Sequence, residues 1–481
     1  RRALARAQRR RRRFAVASGV AAVTLLIVSI FAAQAHVARR AAEQRQAQAE
    51  GLIDFMLGDL RRKLEPIGRL AILDDVGDRA MAYFAGVPES ALSDGELLRR
   101  TEALAQIGAV RLDQGRLPEA IDAFQRALAL ADDLVARRPD DDARRFGLAQ
   151  SHYWVGYVHY RQRRFDRARD AFEAYLDLAG QLVARAPDRA AWQLELAYAH
   201  SNLASVHEAQ DALDATLEAL QQARAIVARL LRLSAPELST TAAGDDDASG
   251  NDADGRDLPP EPSRDALQLQ LAHLDSKLAS VLEGQGRLDD ARARYVDALA
   301  SHRALAEAHP DDARHTRHVA TIHNHLGDLA LIQGEIDAAL NHFRADLAGA
   351  AQLVARDPDN AAWAHELGIS YEDVARALAA AGADDAARDA FDRAVSIHRD
   401  LVARDATQVT WQLSLARARI ARAAARDALD ADARTELRAV QTALDALLST
   451  RPDDVRITRL AADAAHLLHP SIADSSSGEP P

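Results

Sequence analysis

GAVRLDQGRLPEAIDAFQRA, residues 108–127, decides the fold of this chain, because its spacing of small and bulky side chains returns every 48 residues. Gly108 is followed at that step by Gly156 and Ala204, and the same step links Ala279, Gly327 and Ala375. Twelve positions after each comes Ala120, Ala168, Thr216, Ala291, Ala339 or Ala387. Sixteen positions after each stands a large apolar residue: Phe124, Phe172, Leu220, Tyr295, Phe343 or Phe391. Pro139 and Pro187 keep the same beat, as do Pro310 and Pro358. A fixed period of this size predicts an all-α solenoid of helix hairpins, an architecture whose usual business is to bind another polypeptide.

Each unit reads as a first helix, a tight turn, a second helix and a corner. Gly115, Gly286, Gly334 and Gly382 stand seven residues after the small residue. The chain must reverse there through a left-handed conformation, which glycine adopts without steric cost. Leu134-Val135-Ala136-Arg137 recurs at 182–185, 353–356 and 401–404. Proline after it stops the second helix, and the following Asp or Asn can cap the next first helix. Ser93 with Glu96 forms a capping-box pattern that opens the first unit.

This pattern resembles the tetratricopeptide repeat. The family's small–small–aromatic–small signature falls on Gly108, Ala120, Phe124 and Ala127 in the first unit, and on Ala375, Ala387, Phe391 and Ala394 in the sixth. Thr216, Tyr175 and Asp346 depart from it where a small residue is expected. The usual unit has about 34 residues, so each unit here is longer by about four helical turns shared between its two helices. Trp192, Trp363 and Trp411, each followed four residues later by Leu196, Leu367 or Leu415, occupy the added turns and are expected in the core.

The resemblance implies a concave groove lined by first-helix positions three before, one after and four after the small residue. These are Tyr153, Tyr157 and Tyr160 in the second unit, Ser201, Ser205 and Glu208 in the third, and Asn324, Asp328 and Leu331 in the fifth. Three tyrosines on one turn would give a peptide rigid amphipathic anchors. The alternative is that they pack between neighbouring repeats. The basic clamp by which some family members hold a C-terminal carboxylate is absent, since Ala105 and Ala109 stand there in the first unit.

Outside the repeats, residues 1–13 carry eight arginines and no acid, although the whole chain has a formal net charge of −12. That balance argues against nucleic acid as a partner of the repeats. Residues 14–35 are uncharged, and at about 1.5 Å per residue they are long enough for a bilayer core of about 30 Å. The arginine excess before them places residues 1–13 in the cytoplasm and the repeats outside it. Ala33-Gln34-Ala35 as a signal-peptidase site and Arg11-Arg12-Arg13-Phe14 as a twin-arginine signal are rival readings; all three export the repeats. The remaining boundaries are 36–92, a juxtamembrane helical cap; 93–233, repeats one to three; 234–263, an acidic disordered insert; 264–469, repeats four to seven, the last acting as a terminal cap; and 470–481, a disordered tail.

The first residue is Arg, so a longer protein is expected. The order of elements also resembles bacterial signalling proteins in which a kinase, TIR, winged-helix or STAND-type module precedes a membrane helix and tetratricopeptide repeats. Phe55-Met56-Leu57 and Leu64-Glu65-Pro66 carry that second resemblance. It implies the sensor or scaffold arm of a single-pass membrane signalling protein, with a protein or peptide ligand. An envelope assembly scaffold without a signalling role is the alternative.

No catalytic residue, cofactor or metal is expected. Only Lys63 and Lys277 are lysine and neither follows a glycine, so a phosphate-binding Gly-Lys loop is missing. Cysteine is absent, which removes thiolate chemistry and disulfides. Asp252, Asp254, Gly255 and Glu261 echo a calcium loop, but Gly250 replaces the first ligand. His315, His318, His323 and His325 are the densest histidine group. They lack a carboxylate at ligand spacing and are expected as a solvated helix start.

Overall fold

The computed structural model describes residues 92–234, 258–425 and 429–469, together with Gln34, Arg79, Met81 and Ala82. All regular structure among these residues is helical. The expected apolar span 14–35 (Gln34 apart), most of the cap 36–92, residues 235–257 of the insert and the tail lie outside them. No described helix is long and apolar enough to cross a membrane.

The chain divides into two compact units, the first holding residues up to Asp211 with 243–260, the second 212–242 with 261–481. The first contains α1 (Asp94–Asp113), α2 (Leu117–Arg137), α3 (Asp142–Arg161), α4 (Phe165–Arg185) and α5 (Ala190–Ala209). The second contains α6 (Leu213–Leu233), α7 (Arg264–Gly284), α8 (Leu288–Ala308), α9 (Ala313–Ile332), α10 (Ile336–Arg356), α11 (Ala361–Ala380), α12 (Asp384–Arg404), α13 (Val409–Ala424), α14 (Ala431–Thr450) and α15 (Val455–Leu468). Within each unit, successive helices pack against one another.

The 48-residue step resolves into parts. A 20-residue first helix such as α3 is followed by three turn residues, a 21-residue second helix such as α4, and a four-residue corner. Backbone chemistry sets these boundaries. Gly115, Gly286, Gly334 and Gly382 have φ between 72° and 77°, as expected from their position in the turn. The second and third units hold Arg163 and Asp211 there instead, at φ 58° and 60°. At the corners, Asp141 accepts a hydrogen bond from the Arg144 amide at 3.1 Å and Asn360 one from the Trp363 amide at 3.2 Å. Ser93 and Glu96 form the reciprocal capping box, with the Ser93 amide donating to Glu96 at 2.7 Å.

Small residues let the paired helices approach until the bulky residue of the second fills the space. A Cβ on Gly108 would come within 2.7 Å of the Phe124 ring, and one on Gly156 within 2.7 Å of Phe172. Ala120, Ala168, Ala291, Ala339 and Ala387 are fully buried, as are Ala279 and Ala375, while Tyr295, Phe343 and Phe391 are at most 2 % exposed. Helix contacts at native density need such pairing, because a void or an overlap of one methyl is felt. In the first two repeats the arginine that ends the second helix reaches back to the start of the first: Arg137 to Asp94 at 3.1 Å and Arg185 to Asp142 at 2.6 Å. Each pair complements the two helix dipoles.

The three departures from the small-residue signature are buried with partners. The Thr216 hydroxyl donates to the Ala212 carbonyl at 3.0 Å. Tyr175 donates to Glu195 at 2.5 Å. Asp346 faces Ser370 and Asn324, and burial pushes its carboxyl up to about 7. Trp192 is in the core at 1 % exposure, whereas Trp363 and Trp411 are half-buried. Both termini of the described helices are covered by apolar clusters. Leu97, Leu104 and Ile107 gather near the start with Met81 against them, and α15 closes the other end through Ile457 and Ala464.

The histidine expectation needs correction. His315 and His323 are each 6 % exposed, and His318 and His325 are half-buried. The group sits within the helix stack rather than at a solvated helix start: His315 and His318 face His302 of α8, His318 also faces His273 of α7, His325 stacks on Tyr295 of α8, and His323 faces His342 of α10. Nothing in the local sequence of α9 reports these neighbours.

Candidate functional site

The tyrosines proposed from the repeat pattern do gather on α3. Tyr153, Tyr157 and Tyr160 are all half-buried, and their bodies pack on Ala168, Phe172, Leu203 and Val206 from α4 and α5. They pack between neighbouring repeats, and each still meets solvent. Trp154 extends the band, lying 4.9 Å edge-on from Tyr153 and stacked 5.3 Å from Phe124 with planes 1° apart. Tyr153 stands 6.1 Å from Tyr157, and Tyr160 stands 5.9 Å from Phe165. Burial raises the Tyr153 phenol, so it stays a neutral donor.

One edge of this band is basic. The Arg161 guanidinium lies 5.9 Å from the Tyr157 ring, and that of Arg163 lies 5.7 Å from Phe165. Arg164 and Arg167, both exposed, follow in the same turn and helix start. Sequence reasoning missed this rim because its groove positions end at Tyr160, whereas the rim runs from Arg161, the last residue of α3, through the turn into the start of α4.

The other expected groove positions are occupied differently. Ser201 is buried, Ser205 is half-buried and donates to the Ser201 carbonyl at 3.2 Å, and Glu208 is exposed. Asn324 donates to Asp373 at 2.5 Å, and Asp328 accepts from Arg376 at 2.9 Å. Arg376 also holds Asp373 at 2.6 Å, so the fifth-unit positions are tied to the next first helix, α11. Leu331 packs beside Phe343 and Val374. The same α9–α11 side carries Arg317 against Glu366, while Arg417 of α13 donates to Glu372 of α11 at 2.8 Å. Repeats of nearly one period separate these partners, which makes them a polar ladder between successive first helices. The tyrosine band of α3 is thus the expected surface left with apolar rings facing solvent. The fifth-unit positions serve the stack.

A second close packing was not legible in the signature. A Cβ on Gly368 would come within 2.5 Å of the His398 ring, and His398 meets Glu372 at 2.8 Å. His398 is fully buried, so the pair fills the added turns of the sixth unit with a polar contact instead of an aromatic one.

A family model of the tetratricopeptide repeat matches residues 276–311, the stretch that carries Ala279, Ala291 and Tyr295 across the α7–α8 turn. No curated protein matches the chain. Among solved structures, BtubC (BKLC) from P. vanneervenii is similar at 18 % identity, covering 59 % of this chain and 92 % of that one, with a TM-score of 0.43. The apo form of RapI is similar at 9 % identity, covering 86 % and 97 %, with a TM-score of 0.48. A Rap protein complexed with competence and sporulation factor is similar at 12 % identity, covering 87 % and 99 %, with a TM-score of 0.37. The family model covers one hairpin, and the small and bulky positions within it, Ala279, Ala291 and Tyr295, are the ones that recur at the 48-residue step elsewhere in the chain.

Proposed function

We propose that the chain is a non-catalytic scaffold that captures a peptide segment of another protein, and that α3 supplies the anchor. One observation carries this reading: Tyr153, Trp154, Tyr157 and Tyr160 form a continuous half-buried aromatic band whose rings are fixed by the core beneath them. Rigid rings lose little entropy on binding, and aromatic side chains dominate interface energetics. The arginine edge of Arg161, Arg163, Arg164 and Arg167 favours a segment that carries Asp or Glu beside apolar residues.

Display of random peptides against the full chain tests this. Enriched peptides should be acidic and apolar, and Tyr157→Ala with Tyr160→Ala should weaken them at least tenfold while helical content is kept. Equal binding by that variant, or no enrichment at all, contradicts the assignment of α3.

The wider role we propose is the extracytoplasmic arm of a single-pass membrane signalling protein. The uncharged length of residues 14–35 and the eight arginines before them support it. A reporter fused after Pro481 should be active outside the cytoplasm; activity only in the cytoplasm contradicts the orientation. An envelope assembly scaffold is the second reading, favoured if the arm works without any effector module.

A further inference from the structure

Three consecutive helices of the second unit each turn one histidine toward a common point. His273 of α7, His302 of α8 and His318 of α9 each offer a ring nitrogen, and these three atoms lie within 4.8 Å of one another. The ring centroids are 4.6 Å apart for His302 and His318, 5.3 Å for His273 and His318, and 5.7 Å for His273 and His302. His302 is 1 % exposed, and its Nδ1 has no hydrogen-bond partner among the described residues. His273 and His318 are half-buried, so a small solute can reach the cluster from outside.

Packing alone is a poor reason for this arrangement. Buried polar atoms in folded proteins are nearly always paired, and an apolar side chain would fill the position of His302 without an unpaired nitrogen, as Leu299 and Leu305 do on the same helix.

We infer that His273, His302 and His318 form a three-histidine site for a zinc-class divalent cation that joins α7, α8 and α9, with a fourth coordination position open to water. An all-imidazole donor set suits zinc, copper or nickel and not magnesium or calcium. Tetrahedral zinc holds its nitrogens at about 2.0–2.1 Å, which brings them to about 3.4 Å from one another. The half-buried rings supply that closure by rotation. His318 must also leave its 20° stack on His302, because each ring plane has to contain the ion. The charged groups beside the site are Lys277 near His273, with Arg314, Arg317 and Asp312 near His318. Their net positive charge tempers affinity, and the one carboxylate among them, Asp312, is held by Arg314 at 2.6 Å.

Metal-free full chain titrated with zinc against a chelating dye, and with cobalt as a spectroscopic probe, tests the site. The wild type should bind one more equivalent than His273→Gln with His318→Gln, show the visible d–d bands of tetrahedral cobalt, and melt at higher temperature with zinc present. The double variant should lose all three effects, while His309→Gln, an exposed histidine on the corner, keeps them. Circular dichroism without metal checks the fold of the double variant, and His318→Gln alone, expected to lose at least tenfold in affinity, replaces it if helix is lost. X-ray absorption at the zinc edge of the wild type should show imidazole nitrogens, a result that needs no variant. Equal stoichiometry in wild type and double variant, or a zinc edge dominated by oxygen ligands, overturns the inference.

Discussion

A Cβ on Gly327 would lie 2.6 Å from the ring of Phe343, sixteen residues further on, so the two residues occupy space that only one of them can fill. Phe343 is fully buried, and α9 meets α10 at this point. The same relationship holds between Gly108 and Phe124 and between Gly156 and Phe172. Where alanine replaces the glycine, as at Ala375 opposite Phe391, both residues remain buried. The tolerance therefore ends near one methyl.

Gly327→Val should destabilise the second unit by about 3 kcal/mol, since overpacking a dense core costs roughly 1–3 kcal/mol and a β-branched residue adds its own helix cost. Gly180, with nothing within 4 Å of an added Cβ, is the control: Gly180→Ala should stabilise by up to about 1 kcal/mol through helix propensity. Urea unfolding followed by circular dichroism reads both.

Arg163 occupies the turn position with φ 58° that other units give to glycine. A left-handed conformation costs an L-residue roughly 1–2 kcal/mol, part of which glycine returns through unfolded-state entropy. Arg163→Gly should stabilise the compact body that ends at Asp211 by about 0.5–1 kcal/mol in a thermal melt. Asp211, whose short polar side chain tolerates this region better, should respond less.

Tyr175→Phe should cost about 1–3 kcal/mol. Its hydroxyl donates to Glu195 in a buried position, and removing it leaves that carboxylate with the Gln150 amide at 2.8 Å as its remaining side-chain donor. Burial already raises the Glu195 carboxyl, with Tyr175 and Gln150 opposing that rise. The variant should raise it further, as a carbon-detected NMR titration of the carboxylate would report.

Asp346 has an explicit pH signature. Burial, reinforced by Asp373 and Glu366, raises it from the ordinary 3.8 to about 7 in the folded protein. A raised folded value means that its contribution is fully present below about pH 4 and is lost as pH climbs through 7. Asp346→Asn removes this slope. Its stability relative to wild type should improve by on the order of 2–4 kcal/mol between pH 4 and pH 8, from about 1.36 kcal/mol per pH unit. Parallel unfolding curves at the two pH values check it.

The periodic part of the fold was legible because hairpin packing repeats its demands: a small residue, a left-handed turn and a proline corner each leave a residue type at a fixed step. Gly115, Gly286, Gly334 and Gly382 show this most clearly. The candidate site was legible only on α3. Tyr153, Tyr157 and Tyr160 could be placed by register, but the fate of Asn324 and Asp328 depends on Asp373 and Arg376, nearly one full period away, which no single-helix pattern reports. His273, His302 and His318 escaped for the same reason. Ligand spacing along one helix was the signal sought, whereas these three meet by tertiary packing of three helices.

The most direct test of the stacked-hairpin account is a double-mutant cycle of Gly327→Val with Phe343→Ala, read by urea unfolding of the full chain. Phe343→Ala alone should cost about 3–5 kcal/mol by leaving a cavity. Because valine would enter that cavity, the double variant should be more stable than the summed losses by at least about 1 kcal/mol. Strict additivity would mean that the two side chains do not share a space, and would contradict the small-against-bulky packing on which the fold rests.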